Sequence, residues 1–82
     1  MRPSKDVVSR RVGDEIVLVN LESDQMYSLN PTGARAWELL AAGSTRQEIR
    51  AELFSEFDVG EEELYEEIDR MLASFARERL IV

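Results

Sequence analysis

The chain has no cysteine and no histidine. Without cysteine there is no disulfide, no thiol nucleophile and no thiolate-type zinc site. Without histidine the commonest general base and the commonest metal ligand are gone too. Catalysis would then rest on carboxylates, which need a cleft, and a chain of 82 residues committed to one core has little room to build one. The composition therefore points away from an enzyme and calls for no cofactor. No apolar run exceeds four residues, Ile16 to Val19 being one of them, against the roughly 20 that span a bilayer. Met1-Arg2-Pro3-Ser4-Lys5 leads into no apolar segment, so no secretory signal is expected. These absences fit a cytoplasmic protein with no membrane partner.

Bases are scarce as well. Ten lysines and arginines face 17 acids, for a net charge of −7. The distribution is uneven. Arg2, Lys5, Arg10 and Arg11 make the N-terminal arm basic, whereas Glu52 to Asp69 holds nine acids and no base. Such a stretch repels phosphate backbones and attracts basic peptides.

Apolar content of 44% is that of a globular domain, and one domain over residues 1–82 is expected. Residues 1–6 read as a loose terminus. Val7 to Val12 reads as a first strand, and Gly13-Asp14 as a two-residue hairpin turn with glycine supplying the positive φ. Glu15 to Leu21 reads as a second strand, with Val17, Val19 and Leu21 on one face and Ile16 and Leu18 on the other. Glu22-Ser23-Asp24 turns the chain into a third strand, Gln25 to Leu29, which the short turns leave at the edge of an antiparallel meander.

Asn30 is a good N-cap and Pro31 a good first helical residue. The first helix is expected from Pro31 to Ala42, burying Ala34, Trp37, Leu40 and Ala41, with Trp37 as a core anchor. Gly43 follows in the left-handed position. Thr45 and Glu48 form a capping box, which starts a second helix from Arg46 to Phe57 with Ile49, Leu53, Phe54 and Phe57 on one side. Gly60 and three glutamates open a third helix from Glu61 to Glu78. Its central stripe is Leu64, Ile68, Met71 and Phe75, flanked by Tyr65, Leu72 and Ala76, with Asp69 just beyond. Leu80-Ile81-Val82 is a short apolar tail over the core. The fold class is α+β and winged-helix-like: three antiparallel strands, then three helices.

A metal site among Glu61 to Glu67 is not expected, because the run lacks the alternating oxygen ligands and central glycine of a calcium loop. The four glycines are isolated and form no phosphate-cradling loop. The helix order raises DNA binding, but the third helix begins Glu61-Glu62-Glu63-Leu64-Tyr65-Glu66-Glu67, and its bases Arg70, Arg77 and Arg79 come late. Counterion release cannot drive binding from that surface. The third strand's open edge remains. It is either protected by its own brevity, with Tyr65, Leu72 and Ala76 packed on neighbouring helices, or a docking edge. In the second case an extended peptide adds as a fourth strand and drops alternate side chains against Tyr65, Leu72 and Ala76, while Asp69 at the rim meets a basic residue.

Met26-Tyr27-Ser28-Leu29-Asn30-Pro31-Thr32-Gly33-Ala34-Arg35-Ala36-Trp37-Glu38-Leu39-Leu40 resembles the PqqD-like family. Gly43-Ser44-Thr45, Glu48-Ile49, Phe57-Asp58-Val59 and the closing Leu72, Phe75 and Leu80-Ile81-Val82 match its layout. The resemblance implies a recognition element for ribosomally made, post-translationally modified peptides, in which a precursor's leader adds to the third strand and packs on the third helix. It is similar to free-standing members of two kinds, the pyrroloquinoline quinone carrier that serves a radical enzyme and the recognition protein of lasso-peptide pathways, and looks more like the second. That kind implies a leader-cleaving cysteine protease as partner and a macrolactam cyclase downstream. Carried over to this sequence, the strand contacts are Asp24, Gln25, Met26, Tyr27, Ser28 and Leu29. The helix contacts are Tyr65, Ile68, Asp69, Leu72 and Ala76, and Leu72→Glu is expected to abolish leader binding without unfolding the chain.

Overall fold

In the computed structural model, which describes Met1 to Val82, three strands form one antiparallel sheet in the order β1-β2-β3. They are β1 (Val7–Val12), β2 (Glu15–Asn20) and β3 (Gln25–Leu29). The β1–β2 turn is two residues long, with Val12 opposite Glu15, and Gly13 takes φ 65°, a conformation glycine adopts at no steric cost. Across the second turn Ile16 faces Leu29 and Leu18 faces Tyr27. That register puts Ile16, Leu18, Tyr27 and Leu29 on one face of the sheet, over the helices.

Three helices follow, α1 (Pro31–Ala41), α2 (Arg46–Glu56) and α3 (Glu61–Arg77); α1 lies against that face, and α2 and α3 pack on α1 and on each other. Each starts where its local chemistry dictates. The Asn30 side chain accepts the Gly33 N–H at 2.8 Å. Thr45 and Glu48 make the reciprocal capping box, at 2.8 and 3.2 Å. Three glutamates occupy the first turn of α3, against the positive end of its dipole. Removing the capping hydroxyl by Thr45→Ala is expected to cost about 1 kcal/mol. Thermal unfolding followed by circular dichroism should then show a melting temperature lower by about 4–8 °C.

The core is one cluster in which Leu18, Leu40, Ile49, Leu53 and Ile68 are wholly buried. Trp37 anchors α1 as expected, meeting Phe75 edge to face at a centroid distance of 5.5 Å. Several sequence expectations give way to tertiary packing. Ala36, not Ala41, joins the buried face of α1, because the sheet covers the side of the helix that Ala36 shares with Leu40. Phe54 is 43% exposed, since α3 packs on the Ile49–Leu53 side of α2. Leu21 lies outside β2, in a turn, and is exposed.

The N-terminal arm is not loose. Arg2 and Val82 exchange two backbone hydrogen bonds, at 3.0 and 2.8 Å, and the Ser4 N–H donates to the Leu80 carbonyl at 2.9 Å. Leu80, between these contacts, is buried. Asn20 is a buried polar residue that pattern alone does not flag. Its carboxamide oxygen accepts the Glu22 N–H at 2.9 Å, and its amide donates to the Glu78 carbonyl at 3.3 Å. It thus ties the β2–β3 turn to the end of α3.

Candidate functional site: the groove between β3 and α3

β3 bonds to β2 on one side only, so its outer edge presents free backbone donors and acceptors. No Cα of α3 comes within 8 Å of a Cα of β3. The gap is a groove of about 490 Å³. Met26, Tyr27, Ser28 and Leu29 line it from the strand, and Met71, Ser74 and Phe75 from the helix, with Leu80 beside them. Asn30 and Gly33 border it at the start of α1. Gly33 matters here for space: a Cβ on it would lie 3.7 Å from the Met71 methyl and 3.3 Å from Asn30 Oδ1.

Towards the other end of β3, the Tyr27 hydroxyl donates to Glu78 Oε2 at 2.9 Å. Burial, then the hydrogen bond to Glu78 and the charge of that carboxylate, hold the Tyr27 phenol above its ordinary value. The phenol therefore stays a neutral donor at any physiological pH. The groove is an apolar floor with a row of backbone groups along one wall, and nothing in it resembles a paired acid and base. No three acids of the chain converge closely enough to hold a metal ion.

The strand half of the expected site lies together on the groove. Met26, Tyr27, Ser28 and Leu29 line it, and Gln25 begins the strand. Asp24 precedes the strand in the turn, with φ 61°. It closes that turn by donating its N–H to the Asn20 carbonyl at 2.8 Å, so that N–H is not free to pair with an added strand.

The helix half does not converge on the groove. Ile68 and Leu72 are buried in the core, 0% and 2% exposed. Asp69 faces α2, where it accepts from Arg50 Nη2 at 2.7 and 2.8 Å and lies 3.5 Å from Arg46. Tyr65 faces α2 too, with the Arg50 guanidinium 4.9 Å from its ring centre. Ala76 sits beside the paired chain ends, near Pro3 and Ile81. The α3 wall of this groove is made by Met71 (read from the sequence as core), Ser74 and Phe75, with Leu80 beside it, and not by the Tyr65–Asp69–Ala76 flank expected from the sequence. The usable signal was in α2. Arg46 and Arg50, one turn apart, are the bases that could match Asp69, and they fix which flank of α3 turns towards α2.

The hydrogen bonds from Arg50, with a smaller contribution from the charge of Arg46, hold the Asp69 carboxyl below its ordinary range against the opposing effect of burial. A depressed carboxylate stabilises the fold above its unfolded pKa, and that contribution is lost as pH falls through the folded value. Asp69→Asn is therefore expected to lower the melting temperature at pH 7. The difference from wild type should vanish in strong acid, and a series of thermal melts between pH 7 and pH 2 checks it.

The family model described as Coenzyme PQQ synthesis protein D (PqqD) matches residues 15–81. The chain belongs to the PqqD family. This PqqD-family chain is also similar to a solved structure described as TbiB1 in complex with the TbiA(beta) leader peptide. The two are 30% identical with a TM-score of 0.92, covering 99% of this chain and 94% of the other. A second structure, described as lasso peptide synthetase B1 complexed with the leader peptide, is 20% identical with a TM-score of 0.88, covering 99% and 95%. At that identity it speaks for the fold alone, which is the three-strand, three-helix α+β arrangement found here. No curated protein matches the chain. No helix of this PqqD-family chain is long and apolar enough to cross a membrane.

Proposed function

We propose that this chain is a non-catalytic adaptor that captures the leader segment of a ribosomal precursor peptide and presents it to the enzymes of lasso-peptide biosynthesis. The observation that carries the proposal is an unpaired strand edge lying along an apolar groove. The β3 backbone supplies the hydrogen bonds of strand addition, and the groove receives alternate side chains of the added strand. An added strand about 4.8 Å outside β3 would run over the Met71–Ser74–Phe75 wall. The complex described for TbiB1, whose fold this chain shares over nearly its whole length, supports the same reading.

Holding the leader turns a two-body encounter between precursor and enzyme into delivery at high local concentration. The enzymes in this reading are a leader-cleaving cysteine protease and, downstream, a macrolactam cyclase. Between the two kinds of free-standing relative, the Tyr27-Ser28-Leu29-Asn30 and Gly33-Ala34-Arg35-Ala36-Trp37 pattern favours the lasso-type recognition protein over the pyrroloquinoline quinone carrier. The acidic first turn of α3 speaks against a nucleic-acid partner.

Fluorescence anisotropy of a labelled cognate leader, titrated with the protein at low and moderate salt, tests the proposal. Saturable binding that survives moderate salt is expected, because backbone pairing and apolar anchoring are weakly screened. Retention on duplex DNA with no binding of the leader would overturn it.

A further inference from the structure

The β3 groove does not stop at Tyr27. A second concavity, of about 270 Å³, continues it past the start of the strand. Tyr27 lines both, and its hydrogen bond to Glu78 stands between them. Gln25 lines the continuation from β3, Arg77, Glu78 and Arg79 from the end of α3, and Glu22 from the β2–β3 turn. A strand that pairs with the whole of β3 crosses this space. Its residues opposite Leu29, Tyr27 and Gln25 turn their side chains towards the helices, in steps of two. The one opposite Leu29 falls on the Met71–Ser74–Phe75 wall. The one opposite Gln25 lies four positions away in the peptide, about 13 Å along the strand, and falls beside the arginines.

Two observations single these arginines out. Of the five arginines on the helices, Arg35, Arg46, Arg50 and Arg70 have a carboxylate at 2.9, 3.5, 2.7 and 3.9 Å in turn. Arg77 has none, in a chain with 17 acids. The other observation is the backbone of Arg79. It takes φ 58°, in the position after the last turn of α3 where glycine is usual. The Arg79 N–H donates to the Ala76 carbonyl at 3.1 Å and the Leu80 N–H to the Phe75 carbonyl at 2.8 Å. Helix α1 ends on the same two bonds and places Gly43 there, at φ 98°. A left-handed backbone costs an arginine stability that a glycine keeps. The one ion pair Arg79 makes, with Glu22 at 3.3 Å, joins side chains 80% and 57% exposed, and such pairs contribute little. A costly conformation without a matching gain for the fold points to function. The acids nearby are engaged already: Glu78 accepts from Tyr27 at 2.9 Å, and Glu22 stands against Arg79. Asp69, where the sequence suggested a basic peptide residue, is held by Arg50 and Arg46. The charge left free along the groove is therefore positive.

We infer that Arg77 and Arg79 form a subsite for an acidic side chain of the leader, four residues from the apolar side chain that fills the Met71 end of the groove. This deepens the strand-addition reading and rests on it. A guanidinium can give a carboxylate two parallel N–H···O bonds. The apolar contact supplies affinity, and the acid fixes register. A slip of one residue turns every side chain of the added strand to the opposite face, and a slip of two moves the acid away from the arginines. The subsite thus sets how much of the peptide extends beyond the groove.

The test titrates the labelled cognate leader, and leaders in which each Asp or Glu is replaced in turn by Lys, against wild type, Arg77→Glu and Arg79→Gly by anisotropy. One replacement, four residues from an apolar position, is expected to weaken binding to wild type about tenfold. Arg77→Glu should recover affinity for that peptide while binding the native leader several-fold more weakly, the mark of a direct pair. Arg79→Gly separates recognition from structure. It should raise the melting temperature by a few degrees, because glycine relieves the left-handed backbone, yet bind the native leader several-fold more weakly. An Arg79 that serves only the fold would leave affinity unchanged. The subsite is overturned if no replacement weakens binding, or if both variants hold the native leader as wild type does; loss of binding in Met71→Asp would still support the groove in that case. A Lys-substituted leader bound more tightly than the native one would assign the space to Glu22 and Glu78 and overturn it equally. Failure of wild type to bind the native leader removes the strand-addition reading, and the subsite with it.

Discussion

Met71→Asp is expected to weaken leader binding on the order of 100-fold while leaving the fold in place. Met71 is half-buried on the α3 wall of the groove, outside the fully buried core. Its side chain is a flexible apolar surface against which a leader residue can settle. The substitution acts twice. It removes apolar contact worth about 1–2 kcal/mol, and it leaves a carboxylate that the added strand would have to desolvate without a partner. A combined loss of about 2.7 kcal/mol corresponds to the 100-fold change. The free protein should stay folded with a somewhat lower melting temperature, because Met71 packs only partly against the core and the new carboxylate is hydrated until the peptide arrives. Anisotropy and a thermal melt on the same sample separate the two effects. Asp69→Asn lies two positions away on the same helix but faces α2, and should bind the leader as wild type does. Equal losses in both variants would mean that α3 meets the peptide through a different flank.

Leu72→Glu is expected to unfold the protein. Leu72 is 2% exposed within the core cluster. Truncating such a side chain alone costs about 2–5 kcal/mol, and a buried, unpaired carboxylate adds to that cost. The whole stability of an 82-residue domain is about 4–12 kcal/mol on a per-residue basis, so little or none remains. The far-ultraviolet circular dichroism of the variant should lack a cooperative melt. Leu72→Met, which nearly conserves volume, should stay folded at a cost below about 1.5 kcal/mol and bind the leader normally. A folded Leu72→Glu protein with impaired binding would return Leu72 to the groove, the role that the family resemblance implies for it.

The contrast between Met71 and Leu72 shows where sequence reading reaches its limit. The meander was legible because each turn has its own chemistry: a glycine at Gly13, a polar run at Glu22 to Asp24, an Asn-Pro helix start at Asn30. Alternation then fixed the faces of the strands. Helix α3 is different. At roughly 100° per residue, Tyr65 and Asp69 lie on one flank of the Leu64–Ile68–Leu72–Phe75 stripe, and Met71 and Ser74 on the other. Both flanks are partly apolar, so periodicity describes the arc without saying which side meets the sheet edge and which meets α2. That choice is made by tertiary packing, which sets the Tyr65–Asp69 flank against α2, where Arg50 meets both side chains. The tie between the chain ends was equally invisible, because Arg2 and Val82 pair through backbone groups that carry no sequence signal.

The strand edge and the groove wall can be tested together by heteronuclear NMR on the labelled protein during a leader titration, with amide exchange measured before and after. Saturating leader should shift Met26 to Leu29 together with Met71, Ser74 and Phe75, and slow exchange at β3 amides that face solvent in the free protein. Tyr65 and Asp69 should move little. Shifts centred on Tyr65, Asp69 and α2, with β3 exchange unchanged, would contradict strand addition at β3 and place the peptide elsewhere on the fold.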